Sequence, residues 1–179
     1  MTVAPAALRG RRVLVIVGVL FVVFLGFTAR LFIWPPTDRP THVDAIVALG
    51  GDPGQLRAGA ALSLARAGYA SFVIVSLGND SAHCPPHPPR VQVICFRPKP
   101  LDTRGEAEFV SRLAARRHWH KLIIVPERSQ TTRARILFKR CTDDSLEMVP
   151  ITDPITRLPL DVAYEWAALF KALVLKTSC

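Results

Sequence analysis

Acidic residues are scarce in this chain: 14 aspartates and glutamates stand against 23 lysines and arginines. The shortage is uneven. None of the first 34 residues is acidic, and from Pro35 onward 19 basic residues face 14 acidic ones, an excess of only +5. So small an excess, with no nucleic-acid module signature, gives no case for a nucleic-acid partner. A mildly basic domain held near an anionic membrane surface, or near a phosphorylated substrate, explains it as well. Other absences narrow the chemistry. No GxSxG follows a strand, which removes the hydrolase nucleophile elbow. The dinucleotide fingerprint and the P-loop lysine pattern are both missing. The four cysteines, Cys84, Cys95, Cys141 and Cys179, include no CxxC pair.

What the chain does have is a long apolar run. VLVIVGVLFVVFLGFTARLFIW, residues 13 to 34, follows Arg9, Arg11 and Arg12 and is interrupted only by Arg30. Its 22 residues suffice, as a helix, to cross roughly 30 Å of hydrocarbon. Arg30 lies near one end, where its side chain can snorkel to the headgroups. The arginines on the N-terminal side predict a cytoplasmic N-terminus (residues 1–12) and a main domain outside the membrane. A cleaved signal peptide is the rival, although the run is long for one and no A-x-A site follows at the expected distance. A buried helix of a soluble domain would need burial on every side.

About 145 residues remain beyond the run, enough for one sizeable core. Outside the membrane, an even number of cysteines favours disulfides. Cys84 and Cys95 flank a short Pro-rich stretch and form the favoured pair; Cys141 with Cys179 is a weaker suggestion. His83, Cys84 and His87 resemble a metal-ligand cluster in composition, but the loop offers no convincing fourth ligand.

Residues 35–42, PPTDRPTH, read as a linker that lifts the domain, residues 43–179, off the membrane. Apolar strands are expected at Val43–Leu49, Phe72–Val75, Val91–Phe96, Leu122–Val125 and, more weakly, Leu146–Ile151. Between and after them, helices are expected at Gln55–Ala67, Arg104–His118, about Thr131–Arg140 and Leu160–Leu173. Gly68 would stop the first of these. Either Asp102 or Thr103 can cap the second, and Thr103 with Glu106 fits the capping-box spacing. Strands apolar on both faces, alternating with such helices, specify an α/β fold with a mostly parallel sheet covered on both sides. Ligands in such sheets bind beyond the C-terminal strand ends.

Three strand ends and one helix start carry candidate chemistry. Gly50 and Gly51 allow a close backbone approach or positive φ, and the next helix start can meet an anion. Asp52 could bind a cation or take a hydroxyl proton, and Arg57 lies one turn on; a plain turn and helix cap is the alternative. Ser76 and Gly78 end the second strand, suited to positioning a phosphate or a water. After the third, Thr103 and Glu106 open a helix, with Glu106 either closing the capping box or facing the cleft as a base or metal ligand. The fourth strand ends in VPERSQTTR, where Arg128 and Arg133 offer forked donors for phosphate or carboxylate.

Together these blocks resemble the DUF218 family, the bacterial envelope proteins grouped as YdcF-like and SanA/ElyC-like. The resemblance spans about residues 43 to 152 and rests on DAIVALGGD (44–52) with Arg57, IVSLG (74–78), DTRGEA (102–107) and the segment ending in Arg133-Ala134-Arg135. Leu77 replaces a glycine of the family pattern, and Gln130 stands where the family commonly has a histidine. An amide does not titrate near neutral pH, so acid–base work by that histidine does not carry over. The resemblance implies a Rossmann-like domain outside the cytoplasmic membrane, tied to cell-envelope or peptidoglycan-precursor metabolism, with an undecaprenyl-type lipid phosphate as a reasonable ligand. S-adenosylmethionine binding belongs to a cytoplasmic branch, and an exported domain has no obvious supply of it.

The expected site therefore has Gly50, Gly51, Ser76, Gly78, Thr103 and Gln130 around a phosphorylated ligand. Arg57 and Arg133 would neutralise its charge, and Asp52 and Glu106 would position a water or a divalent metal. Phosphoester or pyrophosphate hydrolysis is the least strained reaction class; a non-catalytic envelope scaffold or ligand-binding protein is the rival. Arg133→Ala is expected to weaken binding without unfolding the domain.

Overall fold

The computed structural model describes residues 5–51, 55–78, 82–152, 158–175 and 177–179. Five strands form one all-parallel sheet: β1 (Ala45–Ala48), β2 (Phe72–Ser76), β3 (Gln92–Phe96), β4 (Lys121–Val125) and β5 (Ser145–Met148). Their order is β3-β2-β1-β4-β5, so the chain steps outward from β1 in one direction and then crosses back to β4. The register runs Ala45 beside Phe72 on one side and beside Leu122 on the other. β1 is buried along its whole length, as a short run of Ala, Ile and Val with covered faces requires.

Alternation along the strands divides the core in two. Val47, Ile74, Ile124 and Met148 pack against α3 (Thr103–Arg117) and α4 (Thr131–Cys141). On the opposite face, Ile46, Val73, Val75 and Ile123 meet α2 (Leu56–Arg66) through Ala58, Ala61, Leu62 and Ala65. The α/β architecture is thus as expected, with ends shifted by a few residues. β1 and β5 are shorter than the runs that encode them, although Ile151 still bridges to Glu127. Among the described residues no helix joins β2 to β3; the Pro-rich stretch before β3 is tied back onto it by the Cys84–Cys95 disulfide.

The apolar run is helical. α1 (Pro5–Thr28) passes into a π-helical turn at Ala29–Ile33, and Gly10–Ile33 is long and apolar enough to cross a membrane. Its buried fraction is nil over the most apolar stretch, so the buried-helix alternative does not apply. Arg30 reaches toward the domain end of the run, its guanidinium donating to the Trp34 carbonyl at 2.8 Å. Residues 35–42 do not hold the domain away from that helix. Asp38 Oδ2 accepts from Met148 N and from Arg135, both at 2.8 Å. Thr41 N donates to Glu147. Phe32 is fully buried, and the Thr132 hydroxyl donates to the Leu31 carbonyl at 2.6 Å. Proline excludes helix here, as expected, but these polar side chains strap the segment along β5.

The chain closes with α5 (Leu158–Phe170) and a π-helical turn at Lys171–Leu175, after which Cys179 forms a disulfide with Cys141 of α4. Both expected cysteine pairs are therefore present. Cys84 is spent in one of them, and His87 Nδ1 accepts from Val93 N at 3.4 Å. The composition of that loop thus serves a crosslink and a turn. Among the described residues, no group of three His, Cys, Asp or Glu side chains is placed to hold a metal ion.

Candidate functional site

A cleft of about 350 Å³ opens at the C-terminal ends of the strands, where the strand order reverses between β1 and β4. A crevice of this kind is created because the loops leaving β1 and β4 diverge to opposite faces of the sheet. Its walls hold Gly50, Gly51 and Gly78 from strand ends, Arg57 from α2, Thr103 and Glu106 from α3, and Gln130 and Arg133 from α4. Ser76 lies behind this wall, buried beside Gly50. Asp52 falls outside the described residues.

The glycines are there for each other. A Cβ on Gly50 would come within 2.6 Å of Gly78 N and 2.7 Å of Ser76 Oγ, while Gly51 adopts φ +85°. The two strand-end loops thus abut backbone to backbone, which only glycine permits. Close approach was the expected role, but the approaching group is the neighbouring loop. Leu77 packs against the α2 side of the core, so its replacement of a glycine leaves the Gly50–Gly78 contact intact.

Glu106 does not close a capping box. Asp102 is the N-cap of α3, accepting from Gly105 N at 3.0 Å, and Thr103 is the first helical residue. Freed of that duty, Glu106 crosses to β1, where its Oε1 accepts from Gly50 N at 2.6 Å. Burial raises its pKa above the usual carboxylate value; Ser76, the Gly50 N–H, Arg57 and Arg133 oppose the rise without cancelling it. Ser76 Oγ is near enough to influence this carboxyl but makes no hydrogen bond of good geometry. A carboxyl resisting ionisation at the wall of a cleft is suited to proton transfer.

Thr103 has gone into a buried polar network. Its hydroxyl accepts from Gln130 Nε2 at 3.1 Å and from Arg133 at 3.0 Å. The other end of the Gln130 amide accepts from Arg57 at 2.9 Å. Gln130 is thus satisfied at both ends, holding α2, α3 and α4 together where a histidine would have brought a titrating group.

The arginines differ from expectation. Arg133 presents its fork to Glu165 of α5, with Nε and one terminal nitrogen each 2.7 Å from a carboxylate oxygen. Burial works against its charge, but the Glu165 carboxylate outweighs burial and keeps the guanidinium firmly protonated. Arg57, 2% exposed, lies 3.9 Å from a Glu127 oxygen as well as bonding Gln130. Both cations are therefore matched within the protein. Removing Arg133 would leave Glu165 buried without its partner, so Arg133→Ala would perturb the fold as well as any bound ligand, contrary to the sequence expectation.

Sequence reasoning missed Glu165, Glu127, Asp161 and Tyr164, all of which line the cleft. A signal existed for Glu165: a carboxylate inside the otherwise apolar segment AYEWAALF needs a cationic partner. Two helix starts complete the picture. Gln55 and Gln130, the N-caps of α2 and α4, make no side-chain cap bond; Gln130 lines the cleft and Gln55 does not. The resemblance found in the sequence stands on its motifs alone, for no protein-family model, curated protein or solved structure matches this chain.

Proposed function

We propose that this is a membrane-anchored protein of the bacterial cell envelope whose Rossmann-like domain, akin to the DUF218 family, binds a phosphorylated, lipid-linked ligand in the cleft. The anchor would cross the cytoplasmic membrane with its N-terminus inside, and the two disulfides fit a domain on the oxidising side. The observation that carries the reading is the cleft's two-part character. Its floor is a polar network beside the start of α4, whose N-cap Gln130 makes no side-chain cap bond, suited to phosphate oxygens. Its rim carries Leu101 and Tyr164, exposed by 61% and 66%, suited to an acyl or prenyl chain.

A peptidoglycan precursor carried on a polyprenyl phosphate has both parts. The carboxylates of Glu127 and Asp161 would meet sugar hydroxyls or a divalent metal brought with the phosphate. Hydrolysis of a phosphoester or pyrophosphate would draw on Glu106 as the proton-transferring group. A second reading, binding without catalysis, is favoured by Gln130, which cannot titrate, and by Arg133, already neutralised by Glu165.

The test is a titration of the full chain in nanodiscs with polyprenyl phosphate, the matching polyprenol, inorganic phosphate, a nucleotide sugar and S-adenosylmethionine, each with and without Mg²⁺. Binding of the polyprenyl phosphate and none of the polyprenol is the expected result. Equal binding of the two, or binding of S-adenosylmethionine alone, would overturn the proposal. Turnover abolished in Glu106→Gln with binding retained would select the enzyme over the binding protein.

A further inference from the structure

α5 shows its apolar side to the outside. Leu160, Tyr164, Ala167, Phe170 and Val174, spaced four, three, three and four apart, form one exposed stripe, and the large residues among them are 55% to 76% exposed. Its Glu165 side chain points inward. This is the reverse of a surface helix on a soluble domain, which hides its apolar face.

The helix cannot roll over to bury that stripe. The Arg133–Glu165 fork fixes its middle, Arg140 donates to the Ala172 carbonyl at 2.7 Å, and the Cys141–Cys179 disulfide pins the segment after it. All three tethers run to α4, so the apolar face is turned outward by the covalent and ionic structure of the domain.

What covers it is indicated by the neighbour of α5. Trp166 stacks on Phe24 with ring centroids 5.6 Å apart and meets Phe32 edge-on at 5.3 Å. Its indole N–H donates to the Thr28 hydroxyl at 3.3 Å. If hydrocarbon begins after Arg12, Phe24 lies about 18 Å along a helix that crosses roughly 30 Å. Trp166 therefore touches the anchor well inside the leaflet nearest the domain, at a depth no element on a raised domain would reach.

We infer that α5 is a second membrane-contacting element, lying in that leaflet beside the anchor with the Leu160–Val174 stripe in lipid. Lys171, exposed on the same helix, is long enough to return its charge to the phosphate layer. Asp161, Tyr164 and Glu165 belong both to this helix and to the cleft wall, so the cleft mouth opens at the membrane surface. A lipid-linked ligand would then pass from bilayer to cleft along Tyr164 without crossing bulk water. The inference rests on the reading that α1 spans a membrane, and it is independent of which headgroup the cleft holds.

Photo-crosslinking of the full chain in phospholipid nanodiscs tests it, with p-benzoylphenylalanine placed singly at Ala167, Phe170 or Val174. Val22 in the middle of the anchor serves as the positive control, and Arg66, exposed at the far end of α2, as the negative one. The expected result is lipid adducts at the three stripe positions approaching the yield at Val22, and none at Arg66. Lipid adducts at Val22 but none on the stripe would overturn the inference while leaving the anchor intact. Adducts from the stripe to a second protein copy would overturn it too. Loss of the lipid adduct at Val22 would instead remove the membrane reading on which it depends.

Discussion

The edge strand β5 and the C-terminal end of the sheet each hold a buried glutamate, and the two are treated in opposite ways. On the edge strand, Glu147 of β5 accepts from the Thr41 hydroxyl and N–H and pairs with Lys121 at 3.0 Å. Burial pushes its pKa up, but these partners outweigh burial and the net shift is downward. At the C-terminal end, burial wins at Glu106 and the shift is upward. The edge-strand carboxylate is fully served and closes the strap of residues 35–42 onto the domain. Its C-terminal counterpart is under-served beside an open cleft, with glycine backbones in place of side chains around it. Satisfied polar groups hold structure, whereas a strained one next to a void marks where a ligand would complete the set.

Ion pairs at the two places sharpen the contrast most. Glu165→Ala leaves the Arg133 fork buried without its carboxylate and should cost about 3 to 5 kcal/mol of stability. Lys121→Ala opens a pair whose lysine is 38% exposed, and solvent screening should hold that loss within about 1 kcal/mol. Thermal melting of the two variants in the same nanodiscs measures the difference. Equal losses would mean that the cleft network is as open to water as the strap.

Glycine packing gives the next effect. Gly50→Ala drives a methyl group into the Gly78 backbone, separating the loops that form the cleft floor. The expected cost is about 1 to 3 kcal/mol, as for overpacking a filled core. Ligand affinity should fall with it, because Gly50 N would lose Glu106. A melting temperature unchanged from the parent would show that the two loops are free to part.

Much of this architecture is legible in the sequence because it depends on local patterns. Apolar runs such as AIVA and LIIV could only be covered strands, and an even number of cysteines outside a membrane suggested pairing. The strand ends identified Gly50, Glu106, Gln130 and Arg133 as neighbours before any distance was known. Their partners were hidden because they depend on long-range placement. Arg133 meets a residue 32 positions away, and Gly50 meets one 56 positions away. The capping-box spacing at Thr103 was a local signal overruled by a tertiary one: Asp102 served as cap, and the site took both residues. Proline at positions 35 and 36 correctly excluded helix, but it said nothing about whether the segment stands off or lies down.

The two glutamates also make a prediction about pH, with opposite signs. For Glu147, whose folded pKa is lowered, stability is fully present above the ordinary value of 4.5 and is lost as pH falls through the folded value. For Glu106, whose folded pKa is raised, the folded chain holds its proton more tightly than the unfolded one. Its contribution is full below 4.5 and is lost as pH rises through the folded value. Glu147→Gln should therefore remove a decline on the acid side, at a cost of about 1 kcal/mol near neutrality from weakened bonds to Thr41 and Lys121. Glu106→Gln should remove a decline on the other side of 4.5 and cost little, since its amide oxygen can still accept from Gly50 N while its nitrogen donates to Ser76 Oγ. Melting curves of both variants and the parent, taken from below to above 4.5, separate the cases. If Glu106→Gln flattens the acid limb in place of the upper one, the cleft glutamate is a satisfied structural group like Glu147, and the difference between the cleft and the edge strand disappears.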